Sequence, residues 1–261
     1  MFKKFSRSIR WRIGNQARGK RFAASPVWPA LKSYENRPAK NDLEEFFDRN
    51  IDGPGIWKWR HYFDIYDRHF SKFRGAAPTV LEIGVFSGGS LAMWKDYFGP
   101  GAKIVGVDIE PACKRYESTD VRIFIGDQAD RDFWQGLRRE VPKVDIVIDD
   151  GGHLPEQQMV SMEEMLPHLA PGGVYLCEDI HSERSSFASM VHGLADTLNN
   201  NRNQTAGTDP ERRTVVPSTP FQSRIRGIHL YPFVAVIETN ELPRTELVST
   251  KHGTKWEPFL S

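Results

Sequence analysis

The sequence has few cysteines and no long apolar run. Its 261 residues include two cysteines, Cys113 and Cys177, which are too few for a disulfide framework or for a zinc site made of cysteines. This low cysteine content indicates a reducing compartment. No run approaches the roughly 18 apolar residues that a membrane-spanning helix requires. Hydrophobic residues nevertheless make up 39% of the chain, which is enough for a globular core.

Acidic residues are scarce at the beginning of the chain. Residues 1–40 contain eleven Lys or Arg and one acid, Glu35, whereas the remaining residues carry an excess of acids. A nucleic-acid partner is therefore not indicated, because the main part of the chain lacks the basic surface that such a partner requires. We interpret residues 1–40 as a basic leader and linker, and no apolar core of a secretory signal follows the basic residues.

Residues 1–22 combine basic side chains with an apolar stripe. The apolar positions recur at helical spacing: Phe2, Phe5, Ile9 and Ile13. Eight basic residues and no acid accompany them, which is typical of helices that lie on anionic membrane surfaces. A disordered basic tail and an organelle transit peptide are the alternatives. Together with the cysteine content, this pattern predicts a cytoplasmic protein with peripheral contact at the inner face of a membrane.

Two helices are predicted in residues 41–78, which we treat as an N-terminal helical segment. Asn41 or Asp42 can cap a helix over Leu43–Arg49. In the second helix, aromatic residues recur at spacings of three and four: Trp59, Tyr62, Phe63, Tyr66, Phe70 and Phe73. This spacing predicts a helix whose aromatic side chains pack against a sheet.

From residue 79 onward, predicted strands and helices alternate. Five apolar runs predict strands: Thr79–Ile83, Lys103–Val107, Val121–Ile125, Val144–Ile148 and Gly173–Cys177. Helical patterns follow most of them: Ser90–Phe98, Asp130–Glu140, Pro155–Leu169 and Ser185–Leu198. The polar residues 199–223 are predicted to be a loop without regular structure, of the length that lids and binding loops have.

Two more strands close the predicted domain. Ile225–Leu230 and Phe233–Thr239 are joined too tightly for a parallel crossover, so they must be antiparallel to each other. Residues 79–261 are therefore predicted to form one α/β domain. It is a Rossmann-like, doubly wound sheet of seven strands, mostly parallel with an antiparallel last strand, plus the N-terminal helical extension.

Ligands of open parallel sheets bind beyond the carboxyl ends of the strands. The first predicted strand leads into a glycine loop, Gly84–Ser90, whose spacing is neither GxGxxG nor a P-loop and so disfavours a dinucleotide or a nucleoside triphosphate. The second strand ends at Asp108, which can accept hydrogen bonds from ribose hydroxyls. The third is followed by Asp127 and Gln128, which can bond an adenine edge. Their order on consecutive strands predicts a nucleoside ligand.

The fourth and fifth strands both end in acids. Asp149-Asp150 and Glu178-Asp179 would repel one another unless a cation binds or some of them are protonated. Carboxylates of this kind suit Mg²⁺, Mn²⁺ or Ca²⁺. His153 follows three residues after Asp150 and is a candidate general base. Asp149 is the rival base, and His181 is predicted to line the pocket.

The order of these motifs resembles a known enzyme family. The motifs ExGxxxGGS, GVD, GDQ, DDGGH and ED, closed by the strand Ile228-His229-Leu230-Tyr231, resemble class I S-adenosylmethionine-dependent methyltransferases. More narrowly, they are similar to the metal-dependent sugar O-methyltransferases of macrolide biosynthesis, of the mycinamicin and macrocin type. The stretch Tyr66-Asp67-Arg68-His69-Phe70 is similar to one that precedes the first strand of those enzymes. The relatives usually have Ser where Gly152 stands, so the acceptor pocket differs.

The resemblance implies a role for each site residue. It implies that the glycine loop holds the methionine part of S-adenosylmethionine, with Glu82 on the amino group, Asp108 on the ribose and Asp127 on the adenine. The full set of implied cofactor-binding residues is Glu82, Gly84, Ser87, Gly88, Ser90, Asp108, Asp127 and Gln128. The implied metal ligands are Asp150, Glu178 and Asp179, and the implied base is His153.

The implied function is O-methylation of a sugar hydroxyl in a glycan or glycosylated natural product, with S-adenosylmethionine and Mg²⁺ or Mn²⁺. A lipid-linked glycan of polysaccharide biosynthesis would suit a membrane-bound leader. Three alternatives stay open at this point: a catechol-like acceptor, a relative of cephalosporin hydroxylases, and a nucleoside-binding scaffold tethered to a membrane. The sequence does not fix the oligomeric state, for which a homo-oligomer is one expectation.

Overall fold

A computed structural model of the chain describes residues 2–28, 38–181, 185–200, 207–208, 214–250 and 252–253. The chain divides into two compact units, Met1–Pro38 and Ala39–Ser261. The boundaries predicted from the sequence at residues 40 and 78 stay predictions. In the part of the chain that the structure describes, no helix combines the length and the apolar character that crossing a membrane demands.

The first unit contains one long helix. Helix α1 (Phe2–Ala23) has 22 residues, no acid in its first turn and two basic residues in its last turn. Beyond its end, the indole N–H of Trp28 donates to the carbonyl of Phe22 at 3.0 Å, and the two rings meet edge to face. The helical pattern predicted for residues 1–22 is therefore confirmed, and its contact with a membrane stays a prediction.

The second unit alternates helices and strands in the predicted order. Its helices are α2 (Asp42–Arg49), α3 (Tyr62–Phe70), α4 (Gly89–Phe98), α5 (Arg131–Glu140), α6 (Pro155–Met165), α7 (Ser186–Leu198) and α8 (Pro220–Arg224). Its strands are β1 (Thr79–Ile83), β2 (Lys103–Asp108), β3 (Val121–Ile125), β4 (Val144–Asp149), β5 (Leu169–Cys177), β6 (Gly207–Thr208), β7 (Thr214–Pro217), β8 (Ile225–Tyr231), β9 (Val234–Thr239) and β10 (Glu246–Ser249).

Seven strands form one sheet in the order β3-β2-β1-β4-β5-β9-β8. Strands β1 to β5 pair in parallel, and β9 runs antiparallel to both of its neighbours. The predicted fold class is therefore confirmed. The central strands are apolar almost throughout because helices cover both faces of the sheet. One face packs against α2, α3 and α4, and the other packs against α5, α6 and α7.

The aromatic helix is shorter than predicted. Helix α3 begins at Tyr62, so Trp59 lies in the segment before it, and Phe73 lies in a short 3-10 turn after it. The side chains of Tyr62, Tyr66 and Phe70 are buried, which confirms the predicted packing. Trp59 is half exposed, and it lies at the cavity described below.

The prediction that residues 199–223 lack regular structure was wrong for the residues that the structure describes. Strands β10, β7 and β6 form a second, three-stranded sheet, and α8 follows β7. Helix α8 begins with a capping box, in which the Thr219 hydroxyl accepts from the Gln222 N–H and the Gln222 side chain accepts from the Thr219 N–H. This short signal was overlooked because it lies in a polar stretch. Residues 201–206 and 209–213 lie outside the described part.

Candidate active site

A cavity of about 580 Å³ lies at the carboxyl ends of the parallel strands. Most of the site residues predicted from the sequence line it: Gly84, Ser90, Asp108, Asp127, Gln128, Asp150, His153, Glu178 and Asp179. Further lining residues come from the start of α3, from the segment before it and from the loops that follow the strands: Trp57, Lys58, Trp59, Tyr62, Phe86, Ile109 and His181. The topology therefore brings the two predicted sites, for a nucleoside and for a cation, into one cavity.

The glycine loop after β1 makes a turn that a larger residue could not adopt. Gly84 has φ +92°, and a Cβ at this position would lie 2.1 Å from the carbonyl oxygen of Asp150. The loop therefore passes directly against the loop after β4, and any side chain at residue 84 would force the two apart. This contact explains why the first and fourth strand ends border the same cavity.

Backbone N–H groups hold the carboxylate of Asp108. Its Oδ2 accepts from the N–H of Phe86 and its Oδ1 accepts from the N–H of Glu110, both at 2.9 Å. Each carboxylate oxygen can accept a second hydrogen bond, so the group is ready for the two hydroxyls of a ribose. Asp127 is similar, since its Oδ1 accepts from the N–H of Ala129 at 2.8 Å and the residue is exposed.

Gln128 lines the cavity, but its side chain serves the protein. Its amide donates to Oδ1 of Asp149 at 3.1 Å, and its carbonyl oxygen accepts from the N–H of Gly152 at 2.7 Å. It therefore fixes the loop that carries His153. Its predicted hydrogen bond to adenine stays a prediction that these contacts do not support.

Three residues predicted to bind the cofactor do not line the cavity: Glu82, Ser87 and Gly88. Glu82 is fully buried, and its carboxylate accepts from the Ser90 hydroxyl at 2.8 Å and from the Trp94 indole at 3.0 Å. Burial raises the pKa of this carboxyl, and Lys58 acts in the opposite direction. Glu82 thus ties α4 to β1, which differs from its predicted contact with the cofactor's amino group.

Asp149 does not fit the role of rival base. It is 1% exposed and does not line the cavity. Its carboxylate accepts from the hydroxyls of Ser161 and Tyr175 and from the amide of Gln128. Burial raises its pKa, and these three donors lower it. The buried carboxylate of Asp149 joins the end of β4 to α6, β5 and the loop after β3. Its neighbour Asp150 lines the cavity.

The strand ends of β4 and β5 bring together a cluster that suits a cation. Asp150, His153 and Asp179 offer ligand atoms that lie within 4.8 Å of one another. The Nε2 of His153 is 3.7 Å from Oδ2 of Asp179. His181 also faces this carboxylate, with Nε2 at 3.3 Å from Oδ1. Its prediction as a cavity-lining residue is confirmed.

Left-handed backbone is concentrated around the cavity. Of five non-glycine residues with positive φ in the described chain, four lie here: Phe86 (48°), His153 (57°), Asp179 (56°) and Phe233 (64°). The Phe233 ring packs against the His181 ring at 4.8 Å and the Trp59 ring at 5.6 Å, and both of these residues line the cavity. Such conformations are strained and persist where the surroundings hold them, which is common at functional sites.

The hydrogen-bond donors that hold the acids of this cluster were not predicted from the sequence. The Nζ of Lys58 lies 2.5 Å from Oδ2 of Asp150 and 3.0 Å from Oε2 of Glu178. The hydroxyl of Tyr66 donates to Oε1 of Glu178 at 2.6 Å. A possible signal was the lone lysine between two tryptophans, residues 57–59, directly before the aromatic helix.

Two more donors hold Asp179. The hydroxyl of Tyr62 and the indole N–H of Trp59 both donate to its Oδ1, at 2.6 and 3.1 Å. Helix α3 and the segment before it therefore do more than pack against the sheet, because they also orient the acids at the strand ends.

Burial dominates the electrostatics of the innermost acid. It raises the pKa of Glu178, Asp150 raises it further, and Lys58 and Tyr66 act in the opposite direction. Burial alone would lower the pKa of Lys58, but Asp150 and Glu178 outweigh it, so the ammonium stays charged. Lys58 is the one lysine or arginine among the described residues that line the cavity. Lys58 contacts two of the acids, Asp150 and Glu178, and Asp179 lines the same cavity. Hard oxygen ligands of this type fit a divalent cation.

Exposed apolar side chains surround the mouth of the cavity. Trp57, Phe86 and Ile109 are 86%, 71% and 68% exposed, and Trp59 is half exposed. Exposed apolar side chains beside a cavity are typical of binding surfaces. These residues therefore suit a ligand with an apolar face.

Comparison with known proteins agrees with this site. Residues 81–180 match a family model described as a methyltransferase domain. The chain is 39% identical over 223 residues to demethylmacrocin O-methyltransferase of Streptomyces fradiae, covering 77% of this chain and 53% of the relative. It is 33% identical over 222 residues to mycinamicin VI 2''-O-methyltransferase of Micromonospora griseorubida, covering 76% of this chain and 53% of the relative.

A solved structure gives the same result. The MycE methyltransferase of the mycinamycin biosynthetic pathway, in complex with Mg and SAH, superposes with a TM-score of 0.63 at 30% identity. The match covers 77% of this chain and 55% of that one, so the chain spans about half the length of such relatives. The fold, the motif order and these matches identify residues 81–180 as a methyltransferase domain. The mycinamicin and demethylmacrocin O-methyltransferases described above are homologues of this chain.

Proposed function

We propose that the protein transfers a methyl group from S-adenosylmethionine to a sugar hydroxyl of a glycosylated molecule, with the help of Mg²⁺ or Mn²⁺. One observation carries this proposal: Asp108, which we expect to bind the nucleoside, lines the same cavity as Asp150, Glu178 and Asp179, which we expect to bind the cation. A donor bound at the first can meet an acceptor bound at the second. The names of the homologues support the same chemistry.

The donor would bind along the ends of β1 to β3. Asp108 would accept from the ribose hydroxyls, and Asp127 would face the adenine. Gly84 would let the methionine part approach the backbone. The carboxylate of Asp108 is already oriented by the N–H groups of Phe86 and Glu110, so binding needs no rearrangement of this side chain.

Asp150, Glu178 and Asp179 would hold the divalent cation. When bound, such an ion lowers the pKa of a coordinated hydroxyl and orients it. Tyr62, Trp59 and Lys58 keep the carboxylates in place, because each donates to an acid from outside the strand ends. Positioning of this kind supplies a large part of the acceleration in a transfer between two bound substrates.

His153 would accept the proton of the acceptor hydroxyl at a ring nitrogen. The hydroxyl oxygen then forms a bond to the methyl carbon as the bond from that carbon to the sulfonium sulfur breaks. The products are a methyl ether, S-adenosylhomocysteine and a proton on the imidazole. His153 lines the cavity and Asp149 does not, which favours His153 over Asp149 as the base.

The alternatives drawn from the sequence are not favoured. The relatives described above are named as O-methyltransferases of mycinamicin VI and demethylmacrocin, so their names support neither a catechol-like acceptor nor a hydroxylase. A scaffold without catalysis would have no need for His153 beside paired carboxylates. We propose no second function.

Turnover with labelled S-adenosylmethionine tests the proposal. The acceptors to compare are glycosylated natural products, lipid-linked glycans and a catechol, each with and without chelator. We expect methylation of a sugar-bearing acceptor that depends on added Mg²⁺ or Mn²⁺. Binding of NAD without binding of S-adenosylmethionine would overturn the donor, and full activity in excess chelator would overturn the metal.

We also propose that residues 1–22 attach the protein to anionic membrane at the cytoplasmic face, which would suit a lipid-linked acceptor. Helix α1 has a basic last turn, and eight basic residues stand in residues 1–22 without an acid. Each basic residue near an anionic membrane contributes roughly 1 kcal/mol. Vesicle sedimentation of the full chain should therefore fall steeply with salt, and a chain that starts at Ala23 should stay in solution. Equal sedimentation of both chains would contradict the proposal.

A homo-oligomer without a nucleic-acid partner also stays part of the proposal. The acidic balance beyond residue 40 supports the absence of nucleic acid. Light scattering of the purified chain measures the oligomeric state directly, and a monomer would contradict this expectation.

A further inference from the structure

Lys58 is a buried cation in a site made of acids. Its side chain is 3% exposed, and that of Glu178, its inner partner, is 1% exposed. Asp150, its outer partner, is 19% exposed. Buried charges persist in proteins when they are paired, and removing one partner of such a pair is strongly destabilising. Lys58 reaches these acids from 92 and 120 residues away in the chain.

Acids outnumber the buried ammonium at this end of the cavity. Lys58 contacts Asp150 and Glu178, whereas Asp179 lies beside His153 and His181. Among the described residues that line the cavity, Lys58 is the lysine or arginine that contacts the acids. The proposed metal ion would add positive charge at Asp150 and Asp179.

We propose that Lys58 is an internal counter-cation that keeps the metal site assembled while no metal is bound. This inference rests on the proposed function, since it assumes a divalent cation at Asp150 and Asp179. Lys58 is a positioning residue, because it contacts the carboxylates and acts on the donor and acceptor through them. If its charge is removed, the fold of the site should come to depend on the metal.

The contacts of Lys58 explain why removing its charge should destabilise the protein mainly when no metal is bound. Its ammonium spans Asp150, which follows β4, and Glu178, which follows β5, so it ties two adjacent strand ends to the segment before α3. Without this charge, two acids at neighbouring strand ends would face each other with Tyr66 as the remaining donor to Glu178. A bound divalent cation would restore the attraction that the lysine had supplied.

Thermal unfolding of the full chain tests this inference, in chelator and in excess Mg²⁺. The variants are Lys58→Met, Lys58→Arg and a control, Lys95→Met, which removes a half-buried lysine paired with Asp120 outside the cavity lining. In chelator, Lys58→Met should lower Tm by on the order of 10 °C more than the control does. Excess Mg²⁺ should recover at least half of this loss, and Lys58→Arg should lose less because it keeps the charge.

A second variant keeps the test decisive if Lys58→Met folds poorly. The double variant Lys58→Met/Glu178→Gln removes the buried positive charge together with one negative charge, so it should regain much of the Tm in chelator. An equal loss of Tm with and without Mg²⁺ would overturn the inference, as would a Lys58→Met Tm equal to that of Lys95→Met. If calorimetry finds no Mg²⁺ binding to the parent protein, the proposed metal site is wrong. This result needs no Lys58 variant, so it is distinct from a failure of the inference about Lys58.

Discussion

The cavity has two halves that are built in different ways: a donor half at Asp108 and Asp127, where we expect S-adenosylmethionine, and a cation half at Asp150, Glu178 and Asp179. In the donor half, backbone groups within a few residues of the strand ends hold the acids, as the N–H groups of Phe86 and Glu110 hold Asp108. In the cation half, side chains from a distant segment hold them, as Lys58 holds Asp150 and Tyr62 holds Asp179. The first half is thus a local property of the sheet. The second exists only once the segment before α3 and α3 itself have packed on the sheet.

The comparison predicts that the two halves fail separately. Changes in the cation half should lower turnover and leave the binding of S-adenosylmethionine intact, because we propose that the metal binds the acceptor. Changes in the donor half should weaken donor binding first. Variants that lower turnover and the affinity for S-adenosylmethionine equally would show that the two halves of the cavity are coupled.

Metal removal should have the largest effect. In excess chelator we expect turnover to fall by about a thousandfold or more, since a coordinated cation contributes several kcal/mol to the transition state. Asp179→Asn should produce a similar loss, because this acid lies beside both His153 and His181. Calorimetry should show S-adenosylmethionine binding that is little changed in both cases. A large loss of donor affinity on chelation would break the comparison.

Replacement of His153 should come next. His153→Ala should lower kcat by roughly 10²–10⁴, the usual contribution of a general base, with donor affinity little changed. His181→Ala is the matched control, because its ring also faces Asp179 from the wall of the same cavity. Steady-state kinetics of both variants decide the assignment. A larger loss in His181→Ala would transfer the role of base to that residue.

Asp108→Ala should have a smaller effect, confined to the donor. Leaving ribose hydroxyls and two backbone N–H groups without this acceptor should cost about 1–3 kcal/mol, or roughly 5–150-fold in Kd. Titration calorimetry with S-adenosylmethionine measures the change. Asp127→Ala is the companion variant on the next strand end, with a smaller expected effect because this acid is exposed. Unchanged Kd in Asp108→Ala would place the ribose elsewhere.

The smallest expected effect is on the pH dependence of stability, and it comes from Glu238, an acid that side chains hold outside the cavity. A hydrogen bond from His69 lowers the pKa of Glu238 to about 2, with burial opposing and His69, Lys72 and His229 assisting by their charge. Its carboxylate therefore adds stability above its ordinary pKa, and this stability is lost as the pH falls from about 4.5 to about 2.

Glu238→Gln should remove about 1–2 kcal/mol of that acid-sensitive stability, and turnover should not change. Urea unfolding at pH 6 and pH 3 measures the difference between variant and parent, which should be larger at pH 6. A kinetic effect of this variant would show that acids held by side chains matter for catalysis beyond the cavity.

The sequence allowed the sheet to be predicted because its signals are local. Parallel pairing followed from the alternation of strands and helices, and Asp108 and Asp127 were found because they stand directly at strand ends. Asp149, the predicted rival base, is buried, whereas Asp150 lines the cavity. Adjacent residues at a strand end face different sides, and the sequence does not tell which of the two acids faces the cavity. Lys58 was missed because its partners are 92 and 120 residues away.

Glu82 shows what a resemblance to a family leaves open. The resemblance implied that Glu82 contacts the amino group of the cofactor, whereas in the structure both of its carboxylate oxygens accept from α4, through Ser90 and Trp94. A polar side chain on a buried strand forms hydrogen bonds with the helix that packs against the strand, and the sequence around the strand does not show which helix that is. The hidden capping box of α8 was a different failure, because there the signal was present in the sequence.

The left-handed residues around the cavity have a consequence for the evolution of this protein. Phe86, His153, Asp179 and Phe233 each hold a conformation that glycine would adopt at lower cost, by about 1–3 kcal/mol. Selection for stability alone would therefore favour glycine at the very positions that border the cavity. A laboratory search for heat-resistant variants should enrich such replacements and lose function along with them. The four larger side chains at these positions therefore come at a cost in stability.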